Sequence, residues 1–150
     1  MHMKILIPTD GSKSALNAVK YVAKLVPALR TKTMVTLINV HDESALLYAD
    51  QFAGVPNVVI DIEEIHDSLL QASRSELKSA QKILDNARVK HDMIIGIGHV
   101  VDEILKVAKK DKYDLIVMGS KGRSLMGDLL VGSVAQRVQH GATQPVLLVK

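Results

Sequence analysis

The chain has no cysteine and no tryptophan, and aromatic residues amount to only 3%: Tyr21, Tyr48, Phe52 and Tyr113. Without cysteine there is no disulfide scaffold, no thiolate metal site and no thiol nucleophile. With so few aromatics the core has to be aliphatic. Little is left to stack on exposed bases, which argues against a nucleic-acid binder. No apolar run approaches the roughly 18–20 residues that span a bilayer. The stretch Ile5–Ile7 is far too short for a signal-peptide core. These absences favour a cytoplasmic setting with no membrane contact. A strong excess of one charge is also missing. The formal net charge is +3, and the longest basic cluster, Lys109, Lys110 and Lys112, reads as a solvated helix end.

What is present suits a single domain over residues 1–150. Hydrophobic residues make up 47% and charged residues 23%, the balance of a globular chain with enough apolar surface for a core. There is no internal repeat, low-complexity segment or interdomain linker.

Five strand patterns alternate with four helix patterns, which predicts an α/β fold with a parallel sheet covered on both faces. The strands are expected at Lys4–Pro8, Met34–Val40, Met93–Ile97, Asp114–Met118 and Val146–Lys150. The first helix is expected from Ser12, a suitable N-cap, to Leu29, with Ala15, Ala18, Val19, Val22, Leu25 and Val26 at helical period. Pro27 should bend or shorten its last turn. The second helix is expected from Asp61, which has capping-box spacing to Glu64. Its buried side should run from Ile62 and Ile65 through Leu69, Leu77, Ala80 and Leu84. The third is expected over Val101–Lys110 and the fourth over Ser133–His140. Between His41 and Ile60 lies a connection of about 20 residues, long for a compact domain. It carries Leu46, Leu47, Tyr48, Phe52 and Val55, and a lid, a short helix or a partner contact would each fit.

The most informative stretch follows the fourth strand. It reads Gly119–Ser120–Lys121–Gly122, then nine residues, then Gly132–Ser133. Ligands of open parallel sheets bind beyond the C-terminal ends of the strands. Phosphate recognition needs several N–H donors converging on one point, and glycine lets the backbone come close to an anion. Ser133 at a helix start adds N–H groups and a hydroxyl where the helix dipole favours negative charge. Lys121 and Arg123 supply positive charge, partly opposed by Asp128. The pattern is not a Walker A loop, because no lysine follows Gly132. A dinucleotide fingerprint is absent from the first turn, which reads Asp10–Gly11–Ser12–Lys13. His41, His66, His91, His99 and His140 show no metal-ligand spacing and no Ser–His–Asp order.

These residues resemble the universal stress protein family. Ile7–Pro8–Thr9–Asp10–Gly11–Ser12 is similar to that family's opening, and Asn39–Val40 to the end of its second strand. Val117–Met118–Gly119–Ser120–Lys121–Gly122 with Gly132–Ser133–Val134 is similar to its ATP-binding branch. Pro145–Val149 looks like its closing strand. The resemblance covers essentially the whole chain; His99 stands where relatives often have proline.

The resemblance implies an open five-stranded parallel sheet in the order 3-2-1-4-5, Rossmann-like and of the adenine nucleotide alpha hydrolase-like kind. It implies ATP as ligand, with the adenine near Val40 and with Pro8, Thr9 and Asp10 lining the pocket. Gly119, Lys121, Gly122, Gly132, Ser133 and Val134 would hold ribose and phosphates, flanked by Met118 and Arg123. Asp10 would be the contact to Mg²⁺, whose other ligands are phosphate oxygens and water. The final strand, at a sheet edge, would pair with its copy in a two-fold homodimer. Three functions follow: a regulatory stress-response protein that holds ATP, a slow ATPase, or a nucleotide-independent dimeric scaffold. No general base is evident beyond Asp10, which places fast hydrolysis last. A receiver domain is excluded, because Ile97–Gly98 stands where its phosphoacceptor aspartate belongs.

Overall fold

The computed structural model describes residues 2–121 and 131–150. Its strands are β1 (His2–Pro8), β2 (Lys32–His41), β3 (His91–Ile97), β4 (Leu115–Gly119) and β5 (Val146–Val149). They form one parallel sheet in the order β3-β2-β1-β4-β5, the order the resemblance implied. The helices are α1 (Lys13–Ala28), α2 (Ser44–Gln51), α3 (Ile62–Asn86), α4 (Val100–Lys110) and α5 (Ser133–Gly141).

Central strands buried on both faces should be apolar without alternation, and Ile5, Leu6 and Ile7 of β1 are fully buried. Ile5, Ile7, Val35 and Leu37 face one core with Val19 and Val22 of α1 and Leu77, Ala80 and Leu84 of α3. Leu6, Ile38 and Ile116 face the other with Ile104 and Ala108 of α4 and Val138 of α5. Among the described residues no helix is long and apolar enough to cross a membrane.

Local chemistry sets the helix ends. The Ser12 hydroxyl accepts from the Ala15 amide at 3.2 Å, and Asp61 Oδ1 accepts from the Glu64 amide at 3.1 Å. Pro27 falls in the last turn of α1, which stops one residue later. The long connection contains α2, a fifth helix beyond the four expected. The apolar stripe of α3 also departs from expectation: Ile62 is 48% exposed, and full burial begins at Ser73. Ser73 sits beside Asn39, close to the end of β2. The eleven residues before it, about 16 Å of helix, therefore run on beyond the end of β2, which stops two residues after Asn39. Little strand surface is left there to cover them.

Tyr113, after α4, supplies a pH test of the packing. Burial pushes its phenol above the usual 10.0; a hydrogen bond with Thr36 opposes this, and the charges of Asp111 and Asp92 add to it. A phenol raised in the folded state ionises first in the unfolded chain, so its contribution is intact below pH 10 and is lost above it. The urea midpoint of the wild type should fall more steeply between pH 9 and pH 11 than that of Tyr113→Phe. Parallel curves would refute the assignment.

Candidate functional site

Three strand ends and one helix start meet at the C-terminal edge of the sheet. β1 ends at Pro8, and the Thr9 amide donates to the Ile38 carbonyl at 2.9 Å. The chain then turns through Asp10–Gly11, with Gly11 at φ 75°, a left-handed conformation that glycine adopts without strain. In this turn Asp10 Oδ1 accepts from the Ser12 amide at 2.9 Å. Asp10 therefore helps to start α1 as well as standing at the edge.

β2 runs on past Ile38, the last partner of β1. Main-chain groups of a strand alternate in direction along the chain. Ile38 faces β1, and the His41 carbonyl accepts from the Gly98 amide beyond β3. The Val40 main chain accordingly faces the β1 side, beyond the point where β1 has turned away.

Below this edge lies a buried polar cluster. Asn39 is 1% exposed. Its Nδ2 donates to the Thr9 carbonyl at 2.8 Å and to Glu76 Oε2 at 2.8 Å, and its Oδ1 accepts from the Ser73 hydroxyl at 2.6 Å. The cluster ties the ends of β1 and β2 to α3. His41 Nε2 lies 3.8 Å from Glu76 Oε2 and is buried without a hydrogen-bond partner.

The glycine loop is anchored at its base. The Ser120 amide donates to the Val149 carbonyl at 2.8 Å, and the Lys121 amide donates to the Ser14 hydroxyl at 3.1 Å. The Gly132 amide then donates to the Ser120 carbonyl at 2.7 Å. That bond brings the start of the loop against the start of α5. Gly132 is the N-cap of α5 and offers no side-chain cap, and no acid sits in the first turn. The opening amides of such a helix suit an anion.

The structure thus brings Thr9, Asp10, Val40, Gly119, Lys121, Gly132 and Ser133 to one edge. Pro8 is buried at the end of β1. The side chains of Met118 and Val134 belong to the α4/α5 core, which leaves only their main chains near the edge. Gly122 and Arg123 lie outside the described residues. Among the described residues no group of three His, Asp or Glu could hold a metal. Any ion at Asp10 would therefore take most of its ligands from elsewhere. The sequence reading missed Ser14, Ser73, Glu76 and Ser120 as parts of the framework. The available signal was Asn39, an amide at the end of an otherwise apolar strand that has to be hydrogen-bonded.

An open parallel sheet of this order defines an α/β fold of the adenine nucleotide alpha hydrolase-like class. The model of the Universal stress protein family matches residues 1–150, and the chain belongs to that family. It is 33% identical to Universal stress protein MJ0577 of Methanocaldococcus jannaschii over 159 residues, covering 100% of this chain and 96% of the relative. It is 35% identical to MJ0531 of the same organism, covering 100% and 83%. A solved structure of MJ0577 matches at a TM-score of 0.80 and 31% identity, covering 100% and 96%. Two more distant structures share the fold. One is a universal stress protein in complex with cAMP (TM-score 0.63, 23% identity, covering 98% and 95%). The other is a family protein of Arabidopsis thaliana with AMP bound (TM-score 0.61, 18% identity, covering 99% and 91%).

Proposed function

We propose that this chain is an ATP-binding regulatory protein of the stress response that holds its nucleotide at the C-terminal edge of the sheet. The observation that carries this reading is the 2.7 Å bond from the Gly132 amide to the Ser120 carbonyl. It brings Gly119–Ser120 and Gly132–Ser133 of the glycine pattern to one place beside an uncapped helix start. The AMP and cAMP complexes of distant relatives support an adenine nucleotide as the ligand class.

In this reading the Val40 main chain meets the adenine edge, and Pro8, Thr9 and Asp10 line the base and ribose. Gly119, Lys121, Gly122, Gly132, Ser133 and Val134 would surround the phosphates, with the Ser133 and Val134 amides as donors, because the Lys121 and Gly132 amides already donate to Ser14 and Ser120. Lys121 and Arg123 offset their charge, with the Met118 main chain behind. Asp10 would share Mg²⁺ with the phosphates. Asp10, the candidate base at this edge, already accepts the Ser12 amide, which favours holding over turnover. The β5 edge would pair with a second copy.

The test starts with purified protein, denatured, and the released nucleotide identified by chromatography. ATP is expected from the wild type. It should be absent from Gly122→Val, whose side chain would block phosphate approach while the protein stays folded. Added ATP–Mg²⁺ at 100-fold above Kd should stabilise the emptied wild type by about 2.7 kcal/mol, or roughly 8 °C. AMP and cAMP run in parallel would rank the nucleotides. No released nucleotide and no thermal shift with any of the three would leave the dimeric scaffold as the better account.

A further inference from the structure

The chain segregates its charge. No lysine or arginine occurs between Lys32 and Arg74, while residues 42–67 carry seven acids. The rest of the chain has nine acids against nineteen bases. The same segment concentrates exposed apolar surface. Leu47 is 56% exposed, Tyr48 66%, Phe52 40%, Val59 96% and Ile62 48%. Tyr48 and Phe52, one helical turn apart, hold their rings 5.7 Å centroid to centroid on the outside of α2. α2 lies against α3, and the acids of the segment are themselves exposed. Apolar surface clustered this way and rimmed by charge marks an interaction site, and aromatic anchors are the residues such sites use.

From this combination we propose that α2, the 52–61 connection and the first turns of α3 form a docking face for a partner protein's basic amphipathic helix. The partner would set an apolar stripe on Leu47, Tyr48, Phe52 and Ile62, with lysines or arginines flanking that stripe opposite Asp50 and Glu63. Charge sign rejects the other occupants. A second copy docking through the same face would bring acids against acids. The basic outer side of α1, with Lys13, Lys20 and Lys24, offers a second copy only Tyr21 as exposed large apolar surface. Such a contact would set the apolar surface of the face against a mostly charged helix side and leave it poorly matched. An anionic bilayer or a nucleic acid would be repelled. An amphipathic helix laid on an apolar face is a common recognition mode, and here the acids would steer it and make its association salt-dependent.

The probe is a fluorescein-labelled 18-residue peptide with leucines at helical period and lysines elsewhere, titrated with the full chain and read by anisotropy. Binding in the range of about 1–50 µM is expected, with at least a tenfold loss for a scrambled peptide of the same composition. Tyr48→Ser with Phe52→Ser should weaken binding about tenfold. So should Asp50→Lys with Glu63→Lys, a variant that leaves the apolar surface intact and guards against misfolding of the first. Three results would overturn the proposal. The first is no binding at about 100 µM. The second is equal affinity for the scrambled peptide together with indifference to the aromatic substitutions, the mark of charge alone. The third is a lower oligomeric mass for the aromatic variant than for the wild type in sedimentation, which would assign the face to a second copy.

Discussion

Replacing Gly119 with alanine is expected to lower the thermal midpoint by roughly 10 °C. A Cβ at this position would lie 2.6 Å from the main-chain carbon of Ser14, 2.6 Å from its hydroxyl and 2.7 Å from the Ala15 nitrogen. Two of those atoms are backbone in the first turn of α1. That turn is held by the Ser12 cap and by the Lys121 amide on Ser14, so it has little room to retreat. Overpacking usually costs about 1–3 kcal/mol, and a clash against fixed backbone belongs at the upper end, about 3 kcal/mol. Calorimetry of the two proteins decides the matter. A shift below about 2 °C would mean that α1 slides freely away from β4. Gly119 therefore has a packing role that phosphate chemistry alone did not suggest. Gly119→Ala therefore does not separate nucleotide binding from folding.

Asn39→Leu should also cost about 3 kcal/mol, for a different reason. The side chain is close in volume but has no polar atoms. Its loss leaves the Thr9 carbonyl and the Ser73 hydroxyl without their Asn39 bonds in a buried setting, at about 1–3 kcal/mol each. It also removes one of the two bonds that tie Thr9, next to the Asp10 turn, to β2, so nucleotide affinity should fall with stability. Asn39→Asp offers a pH signature. Its carboxylate would sit at hydrogen-bond distance from that of Glu76, where Asn39 Nδ2 now lies at 2.8 Å. Two carboxylates so close hold one proton more tightly than the unfolded chain does. A folded-state pKa raised in this way gives stability that is present at low pH and lost as pH rises through it. The deficit of Asn39→Asp should therefore shrink between pH 7 and pH 5, while that of Asn39→Leu stays constant. Equal pH profiles for the two variants would show that Glu76 turns away from residue 39.

Strand and helix identities were readable because each rests on a local rule. The run Leu115–Met118 has no polar alternation and became a strand buried on both faces. Ser12 and Asp61 were named as caps from their positions, and both accept the expected amide. The α2 segment was less legible. Its apolar residues do not concentrate on one side strongly enough to separate a short helix from a lid, and both of its aromatics ended up outside. Ile62 was assigned to the buried face of α3 because it keeps the period. Periodicity reports which residues share a side of a helix; it does not report how far the sheet beneath extends.

By itself the sequence determined the α/β class, the aliphatic core, the capped starts of α1 and α3 and the pattern of three glycines, because composition, period and capping act over a few residues. Only the tertiary structure decided that Ser120 and Gly132 join at 2.7 Å, that Asn39 links Thr9 to α3, and that Gly119 lies against α1. Those contacts join residues distant in sequence. They exist because all the parallel strands end at one edge, and the helices packed on both faces carry the chain back to the opposite edge to begin the next strand.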